Sequence, residues 1–454
     1  MRHSAPNLPH AATLAPRPGR RCFRCSPVLR HPSFSRSATL TGRQLPPLAA
    51  GQRRRGVSAM MLGRRRWMRA AGAATLAIAA PTLTRAEGKK LVTLFLCGDV
   101  MTGRGIDQVL PHPSDPRISE RYAKDAVDYV RLAERKHGSI AKPVEYGYIW
   151  GAALDELERR APDVRIINLE TSITTQDKPA PKGINYRMNP ENVPCITAAG
   201  IDCCVLANNH VLDWGRAGCV ETIETLRGAH VKTAGAGRDA TQAASPAILP
   251  TRQGRVLVFA FGSVTSGIPR DWAATATKPG INVLPDLSDE GARRIGHQVR
   301  AARQDNDIVV ASIHWGSNWG YKVPSNQRAF AHKLVDEASV DVVHGHSSHH
   351  AKGIEIYKGK PIFYGCGDFI NDYEGIQGHD RYRGDLMLMY FPRINLATRK
   401  LVQLEMTPLQ IKRFQLHRAS SRDATWIRYT LAREGREFGT TVTLTGSNAL
   451  RVGP

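Results

Sequence analysis

The sequence predicts an α/β domain whose mainly parallel strands are covered by helices on both faces. From residue 90 onward, short apolar runs alternate with amphipathic segments of helical length. This alternation is typical of parallel sheets with helical crossovers. After residue 353 the apolar runs follow one another without helical segments between them, which predicts hairpins at the end of the domain.

Six runs have strand character, and four segments between them have helical character. The predicted strands are LVTLFLC (91–97), VRIINL (164–169), DCCVLA (202–207), RVLVFAF (255–261), DIVVASI (307–313) and VDVVHG (340–345). The predicted helices cover residues 150–160, 218–229, 288–304 and 325–338. Later in the chain, the YKGK that begins at Tyr357 lies between two apolar runs and predicts a hairpin turn.

The first 86 residues differ from the rest in composition and charge. They hold sixteen arginines, no lysine and no acidic residue, so most of the formal net charge of +23 belongs to them. The remaining chain carries 47 basic against 40 acidic side chains. Because most of the basic excess lies in this leader, it gives no support to a nucleic-acid-binding function, and we expect no nucleic acid partner.

The leader divides into two parts. Residues 1–59 are rich in Arg, Pro and Ser, and we expect a disordered leader or an upstream mis-start. Residues 60–86 combine a cationic start, a short apolar run and small residues before a cleavage point after Ala86, which is the anatomy of a signal peptide. Arg64 and Arg65 fit a twin-arginine signal as well as a Sec signal, and both alternatives stay open. Either predicts a periplasmic or extracellular protein.

The exported part is expected to contain one large domain and a short extension. The pattern of alternating elements places the domain at residues 87–410. Residues 411–454 are basic and mixed in character, and we expect a C-terminal extension made of a helix and a loose end at the domain edge.

Side chains that can bind metals follow five of the predicted strands. They are Asp99, Glu170, the triplet Asn208-Asn209-His210, His314 and the histidine-rich stretch from His344 to His350. Because the carboxyl ends of parallel strands meet at one edge of an open sheet, these side chains can converge on one point. Carboxylate, amide and imidazole donors together suit a divalent ion such as Mn, Fe or Zn, and one carboxylate can bridge two ions. The sequence therefore predicts a site for one or two divalent metal ions.

Seven motifs occur in a fixed order along the chain. They are GDVMTGRG (98–105), NLETSIT (168–174), ANNHVLDWG (207–215), AGAG (234–237), HWG (314–316), GHSSHH (345–350) and YGCGDFI (364–370). Together they resemble the capsule-synthesis protein CapA family, which is associated with poly-γ-glutamate, within the metallo-dependent phosphatase superfamily. The resemblance covers roughly residues 91–410. It implies a metallophosphatase-like sandwich of two mixed β-sheets flanked by helices.

The resemblance also implies roles for individual residues. The implied metal ligands are Asp99 and His349 for a first ion, Glu170 as a bridge, and Asn209, His314 and His346 for a second ion. His210 would donate a proton to a leaving group, with Asp213 orienting its ring. Arg104 would meet an anionic substrate, and His350 would contact the substrate as well.

Some positions depart from the family's pattern. Phosphatase relatives have a histidine two residues after the first aspartate, whereas this chain has Met101. Two residues instead of one separate His346 from His349, and Glu170 replaces an aspartate. Asp368, in the sequence GCGDF, is a further acid near the site; hairpin turn chemistry is favoured somewhat over metal ligation, and both interpretations stay open.

Two classes of function remain open at the level of sequence. The first is a metal-dependent hydrolase or transferase that acts on an exported anionic polymer, with poly-γ-glutamate implied by the resemblance, or on a phosphoester. The second is a non-catalytic polymer-binding or assembly component of a membrane capsule-synthesis complex. The methionine at position 101 favours the second, whereas the Asn209-His210 pair favours the first, because a structural metal site needs no proton donor.

Overall fold

Two mixed β-sheets lie at the centre of the fold, and helices flank them. The computed structural model describes residues 90–453. The predictions for residues 1–59 and 60–86 lie outside this range. Within it, the expected sandwich of two mixed sheets flanked by helices is confirmed.

The strands and helices have the following bounds. In chain order the strands are β1 (Leu91–Val100), β2 (Val164–Leu169), β3 (Ser172–Ile173), β4 (Arg187–Met188), β5 (Cys203–Val205), β6 (Lys232–Ala234), β7 (Ala236–Gly237), β8 (Ala247–Pro250), β9 (Arg255–Ser263), β10 (Gly280–Ile281), β11 (Val283–Leu284), β12 (Asp307–His314), β13 (Val342–His346), β14 (Ile354–Tyr357), β15 (Lys360–Phe363), β16 (Asp368–Ile370), β17 (Leu386–Asn395), β18 (Leu401–Lys412), β19 (Gln415–Arg418), β20 (Thr441–Leu444) and β21 (Leu450–Gly453). The helices are α1 (Val127–His137), α2 (Ala152–Arg160), α3 (Pro194–Thr197), α4 (Gly215–Gly228), α5 (Ala240–Ala244), α6 (Asp289–Ala302), α7 (Ser325–Asp336) and α8 (Ser421–Gly435). The four predicted helices correspond to α2, α4, α6 and α7.

Each of the two large sheets combines parallel and antiparallel strands. The ten-stranded sheet has the order β20-β21-β18-β17-β1-β2-β5-β6, with β16 also paired to β1 and β19 to β18. Its half from β1 to β6 is parallel, and its half from β1 to β20 is antiparallel. The seven-stranded sheet has the order β11-β9-β12-β13-β15-β14, with β8 paired to β9. Only β14 and β8 run antiparallel to their neighbours in it.

Strand β9 shows why the central runs are apolar at every position. Val256, Val258 and Ala260 belong to the same core cluster as the apolar residues of β1 and β2. The intervening Leu257 and Phe259 belong to a second cluster with apolar residues of α6 and α7. Because successive side chains of a strand point to opposite faces, one face of the sheet packs on the other sheet and one on helices.

The hairpin predicted at YKGK is confirmed. Tyr357 of β14 pairs with Lys360 of β15, so that Lys358 and Gly359 form a two-residue loop. Both loop residues have positive φ angles, 50° and 79°, as a type I′ turn between antiparallel strands requires.

The C-terminal residues are part of the larger sheet, and this corrects the expected extension. The boundary at residue 410 falls inside β18, while β19, β20 and β21 all pair within the sheet. Val442, Leu450 and Val452 are buried in the main core. A short run with alternating burial is easily mistaken for a loose end, because the strand that it pairs with is distant in sequence.

Among residues 90–453, no helix combines the length and the apolar character that crossing a membrane requires.

Candidate metal centre

The carboxyl end of β1 is held between two parallel neighbours. Asp99 pairs in register with a residue of β2 on one side and with Asp368 of β16 on the other. The side-chain amide of Asn168 donates a hydrogen bond to Asp99 Oδ1 at 2.7 Å, and the backbone N–H of Ser347 donates to Oδ2 at 3.2 Å. The Asp99 side chain is fully buried, so its carboxylate is fixed in the protein interior.

A glycine next to this carboxylate allows the two strands to meet. A Cβ atom at Gly98 would lie 1.6 Å from the backbone oxygen of Gly367, a distance that no side chain tolerates. The backbone N–H of Asp99 donates to the same oxygen at 3.0 Å. The GD in GDVMTGRG is therefore needed both for the acidic side chain and for the close approach of β16.

Two groups of potential metal ligands share Asp99. The first consists of Asp99, His314 and His346, and the second of Asp99, His349 and Asp368. Within each group, one ligand atom per residue lies within 4.8 Å of the others. The parallel register of β12 and β13 places His314 opposite His346. His314 and the other two histidines follow Asp99 by 215 residues or more in the sequence. The strand ends bring them close to Asp99 in space, as the sequence predicts.

The sequence favoured a turn for Asp368, and this interpretation is wrong. Asp368 begins β16, is 3% exposed, and accepts a hydrogen bond through Oδ1 from His349 Nδ1 at 2.8 Å. Its Oδ2 accepts from the Asn371 amide at 2.9 Å. The parallel pairing of β16 with β1 brings this carboxylate beside Asp99. The short run DFI gave only a weak strand signal, which is why its pairing was not foreseen.

Asp99 is the carboxylate shared by both groups. The family resemblance implied that Glu170 would bridge the two ions instead. Glu170 belongs to neither group. Its Oε1 lies 3.6 Å from His210 Nε2 and 3.9 Å from His314 Nε2. Glu170 Oε2 and Asn209 Oδ1 are both buried and have no hydrogen-bond partner among the described residues. Buried polar atoms without a partner are uncommon in folded proteins, and carboxylate and amide oxygens of this kind are suited to bind a cation.

Burial and mutual repulsion dominate the electrostatics of this cluster. Burial, together with the neighbouring Asp368 carboxylate, raises the pKa of Asp99 to about 7. Burial and the Asp99 and Asp368 carboxylates raise the pKa of Glu170 well above its ordinary value. Burial lowers the pKa of His314 and His346, which keeps both rings neutral at neutral pH. The Asp368 and Asp99 carboxylates instead raise the pKa of His349, so only the two imidazoles of the first group are held neutral.

His210 lies beside the ligand groups without belonging to either. Its Nδ1 and Asp213 Oδ2 are 2.6 Å apart, as expected for a ring that Asp213 orients. Lys182 Nζ donates to the other Asp213 oxygen at 2.7 Å, and the backbone N–H of Tyr186 donates to Oδ2 at 2.7 Å. The Tyr186 ring packs edge-on against the imidazole at a centroid distance of 4.5 Å. The ring is therefore held on two sides, and its Nε2 points toward Glu170.

A small cavity connects these side chains. Its volume is about 60 Å³, and it is lined by Glu170, Ile184, Tyr186, Asn209, His210, His314, Asn318, Ser347, His349 and Tyr373. Two of the ligand-group histidines, His314 and His349, thus face one space with Glu170, Asn209 and His210. Lys182 and Tyr186, which precede β4, and Tyr373, which follows β16, were not identified from the sequence, because nothing in their local patterns marks these two loops.

The surroundings of Arg104 do not support its expected contact with an anionic substrate. The side chain is 3% exposed, and its guanidinium is paired with Asp372 and Glu120. It also lies over the Tyr129 ring, 3.9 Å from the centroid. Two buried carboxylates already neutralise this cation. Arg104 therefore stabilises the packing behind the site and has no free charge for an anionic ligand.

His350 is likewise packed away from the cavity. It is 3% exposed and stacks on Tyr382 at a centroid distance of 4.5 Å. Its Nδ1 lies 3.2 Å from the carbonyl oxygen of Ala351. The expected contact with substrate is not supported by this geometry, because an aromatic cluster encloses the ring.

Comparison with known proteins gives the family. The model of the bacterial capsule synthesis protein PGA_cap family matches residues 93–373. The chain belongs to this family. It is 47% identical over 367 residues to a probable polyglutamine synthesis accessory protein of Mycobacterium tuberculosis, a match that covers 80% of this chain and 96% of the relative. It is 26% identical over 332 residues to the capsule biosynthesis protein CapA of Bacillus anthracis, covering 72% and 69% of the two chains.

One solved structure shares a weak likeness with the chain. It is the crystal structure of a novel phosphatase from Mycoplasma pneumoniae, with a TM-score of 0.39 and 10% sequence identity, covering 71% of this chain and 96% of that one. At this TM-score and identity, the likeness gives no information about the residues of the site. The membership in the PGA_cap family therefore rests on the sequence matches.

The raised pKa of Asp99 predicts how the metal-free protein responds to pH. An acid whose pKa is higher in the folded state than in the unfolded chain binds its proton more tightly when folded. Stability should therefore fall as pH rises from about 4 to about 7, by up to ~1.4 kcal/mol per pH unit for one proton. The measurement is urea unfolding in the presence of chelator across this pH range.

Asp99→Asn provides the comparison for this measurement. The variant keeps the shape of the side chain but cannot titrate, so its stability should fall less steeply over the same interval. Identical slopes for the variant and the parent protein would show that Asp99 does not carry the raised pKa.

Proposed function

We propose that this protein is an exported component of poly-γ-glutamate capsule synthesis and acts as a metal-dependent hydrolase on the anionic polymer or on a phosphoester. The names of its relatives, for capsule biosynthesis and for polyglutamine synthesis, support the process. The observation that carries the hydrolytic role is the position of His210. Its Nε2 faces the cavity of the ligand groups, while Asp213 holds its Nδ1.

The residues around Asp99 fit a divalent ion. Orphaned buried oxygens, crowded carboxylates and neutral imidazoles are complementary to a cation of the Mn, Fe or Zn type. Asp99, His314 and His346 would hold one ion, and His349 and Asp368 would join Asp99 around a second. When bound, such an ion supplies Lewis-acid activation of water and of a phosphoryl or carbonyl oxygen.

The protein's own contribution to chemistry is a positioned proton. Because Asp213 accepts from Nδ1, the second nitrogen of His210 is left to exchange a proton with a leaving group. Burial lowers the pKa of His210 to about 4, so the ring is neutral in the resting protein. An anionic substrate in the cavity would favour the protonated ring, which makes protonation coincide with substrate binding.

The methionine at position 101 no longer favours a vestigial site. Tyr373 Oη lies 3.4 Å from Met101 Sδ, so the methionine packs in the wall of the site. Asp368 provides a carboxylate beside Asp99 in place of the ligand that the methionine cannot supply. The alternative function, a polymer-binding or assembly component of a membrane capsule-synthesis complex, is the outcome if the protein binds polymer and metal but hydrolyses nothing.

Export is tested apart from catalysis. A reporter fused to residues 60–90 should appear in the periplasm or the medium, because these residues carry the signal-peptide anatomy. Exchange of Arg64 and Arg65 for lysine should block export by a twin-arginine route and spare export by a Sec route. Retention of the unaltered fusion in the cytoplasm would contradict the exported assignment.

The hydrolytic role predicts a separation between metal content and activity. His210→Ala should keep its metal and lose about 10²–10⁴-fold in hydrolysis, since a general acid contributes about this much. His346→Ala should lose metal and activity together. Metal analysis and initial rates on phosphodiesters and poly-γ-glutamate give the two readouts, with the exposed His297→Ala as the matched control.

The leaving group sharpens this test. The loss in His210→Ala should be smallest for substrates with good leaving groups, because these need no proton. Equal losses for good and poor leaving groups would refute the acid role, and loss of metal in His210→Ala would make the residue a ligand.

A further inference from the structure

A hydrogen-bonded series of four groups ends at the ligand His346. His344 Nε2 is 2.7 Å from the carbonyl oxygen of Cys97, and His344 Nδ1 is 3.0 Å from Ser312 Oγ. Ser312 Oγ is in turn 2.9 Å from His346 Nε2. The four residues are at most 1% exposed. The parallel register of β12 and β13, which places Ser312 opposite His344, brings these groups together.

The direction of each hydrogen bond in this series follows from the chemistry of its ends. A carbonyl oxygen can only accept, so His344 Nε2 carries a hydrogen and donates to Cys97. No acidic side chain of residues 90–453 is hydrogen-bonded to His344, and a buried cation without such a partner is unfavourable, so the ring is neutral. Its Nδ1 therefore accepts, and the donor is the hydroxyl of Ser312.

The serine has one hydrogen, and this hydrogen is already used. Ser312 Oγ must then accept from His346 Nε2, which carries the hydrogen of a neutral ring. His346 Nδ1 is left with a free electron pair. That nitrogen lies 2.8 Å from His314 Nδ1 and 3.8 Å from Asp99 Oδ1, on the side of the ligand group. In the metal-free protein, His314 Nδ1 is consequently the donor between the two rings.

We propose that Ser312 and His344 are positioning residues that fix His346 in the tautomer whose Nδ1 is free to bind a metal ion. The inference rests on the metal centre of the proposed function and deepens it. Neither residue is a member of the ligand groups. Partners behind a ligating histidine set its tautomer and ring orientation, and their loss lowers metal affinity or activity by about 10–100-fold.

The first test reads the tautomers directly in the metal-free protein. Long-range ¹⁵N–¹H NMR of the histidine rings should show His346 and His344 with hydrogen on Nε2 and His314 with hydrogen on Nδ1. A His346 ring that carries its hydrogen on Nδ1 would overturn the proposal. Because no metal is needed, this result is independent of whether the wild-type protein proves to be a metal-dependent hydrolase.

The second test measures affinity for Zn²⁺ and Mn²⁺ by competition with a chromophoric chelator. Ser312→Ala should weaken binding by about 10–100-fold and give His346 a mixture of tautomers. Ser263→Ala is the matched control, because it removes another fully buried hydroxyl, one that bonds only within its own turn. This control should keep the affinity and the tautomers of the wild type.

A double variant shows whether Ser312 and His344 act on His346 through the same series of hydrogen bonds or through two separate structural effects. Since either change breaks the same series, Ser312→Ala with His344→Phe should bind metal no more weakly than the weaker single variant. Additive losses, or unchanged affinity and tautomers in Ser312→Ala, would contradict the proposal. If a variant fails to fold, the tautomer of the wild-type ring still decides. A wild-type protein with the expected tautomers but no metal binding would reject the proposed function and leave the hydrogen-bonded series intact.

Discussion

The burial of the Asp99 carboxylate between β2 and β16 is the constraint on which the rest of the site depends. Parallel pairing on both sides fixes its position and brings Asp368 next to it. Glu170 adds a third buried acid whose pKa responds to the other two. Placing such charges together in the interior is unfavourable unless protons or a cation compensate them. Raised pKa values of Asp99, Glu170 and His349 favour protons as the compensation in the metal-free protein, and the unpartnered oxygens nearby are suited to a cation.

Two separate sets of residues position the side chains around Asp99. On the side of the seven-stranded sheet, Ser312 and His344 back the ligand His346 with groups that can donate and accept but carry no charge. On the other side, Asp213 ties His210 to the loop that carries Lys182 and Tyr186. The first set positions a proposed metal ligand, and the second positions the proposed proton donor. This separation is why metal content and catalysis are expected to respond to different substitutions.

Sequence patterns predicted the six central strands, four of the helices and the meeting of potential ligands at the sheet edges, because short apolar runs and the residues at their ends are local signals. They did not reveal partners that depend on pairing across the chain. Asp368 lies 269 positions from Asp99 and reaches it only through a three-residue strand. Arg104 follows a motif glycine as a substrate-binding residue would, yet Asp372 and Glu120 enclose it. The C-terminal strands were missed for the same reason, since their partner β18 fixes their register.

Anomalous diffraction determines whether Asp99 is the carboxylate common to both ligand groups. Crystals of the protein grown with Zn²⁺ or Mn²⁺, measured at the absorption edge of the ion, locate the metal without assumption. We expect an anomalous peak about 2.0–2.2 Å from an Asp99 oxygen, with His314 and His346 or with His349 and Asp368 as the other ligands. A metal bound in the protein without Asp99 among its ligands would contradict this expectation.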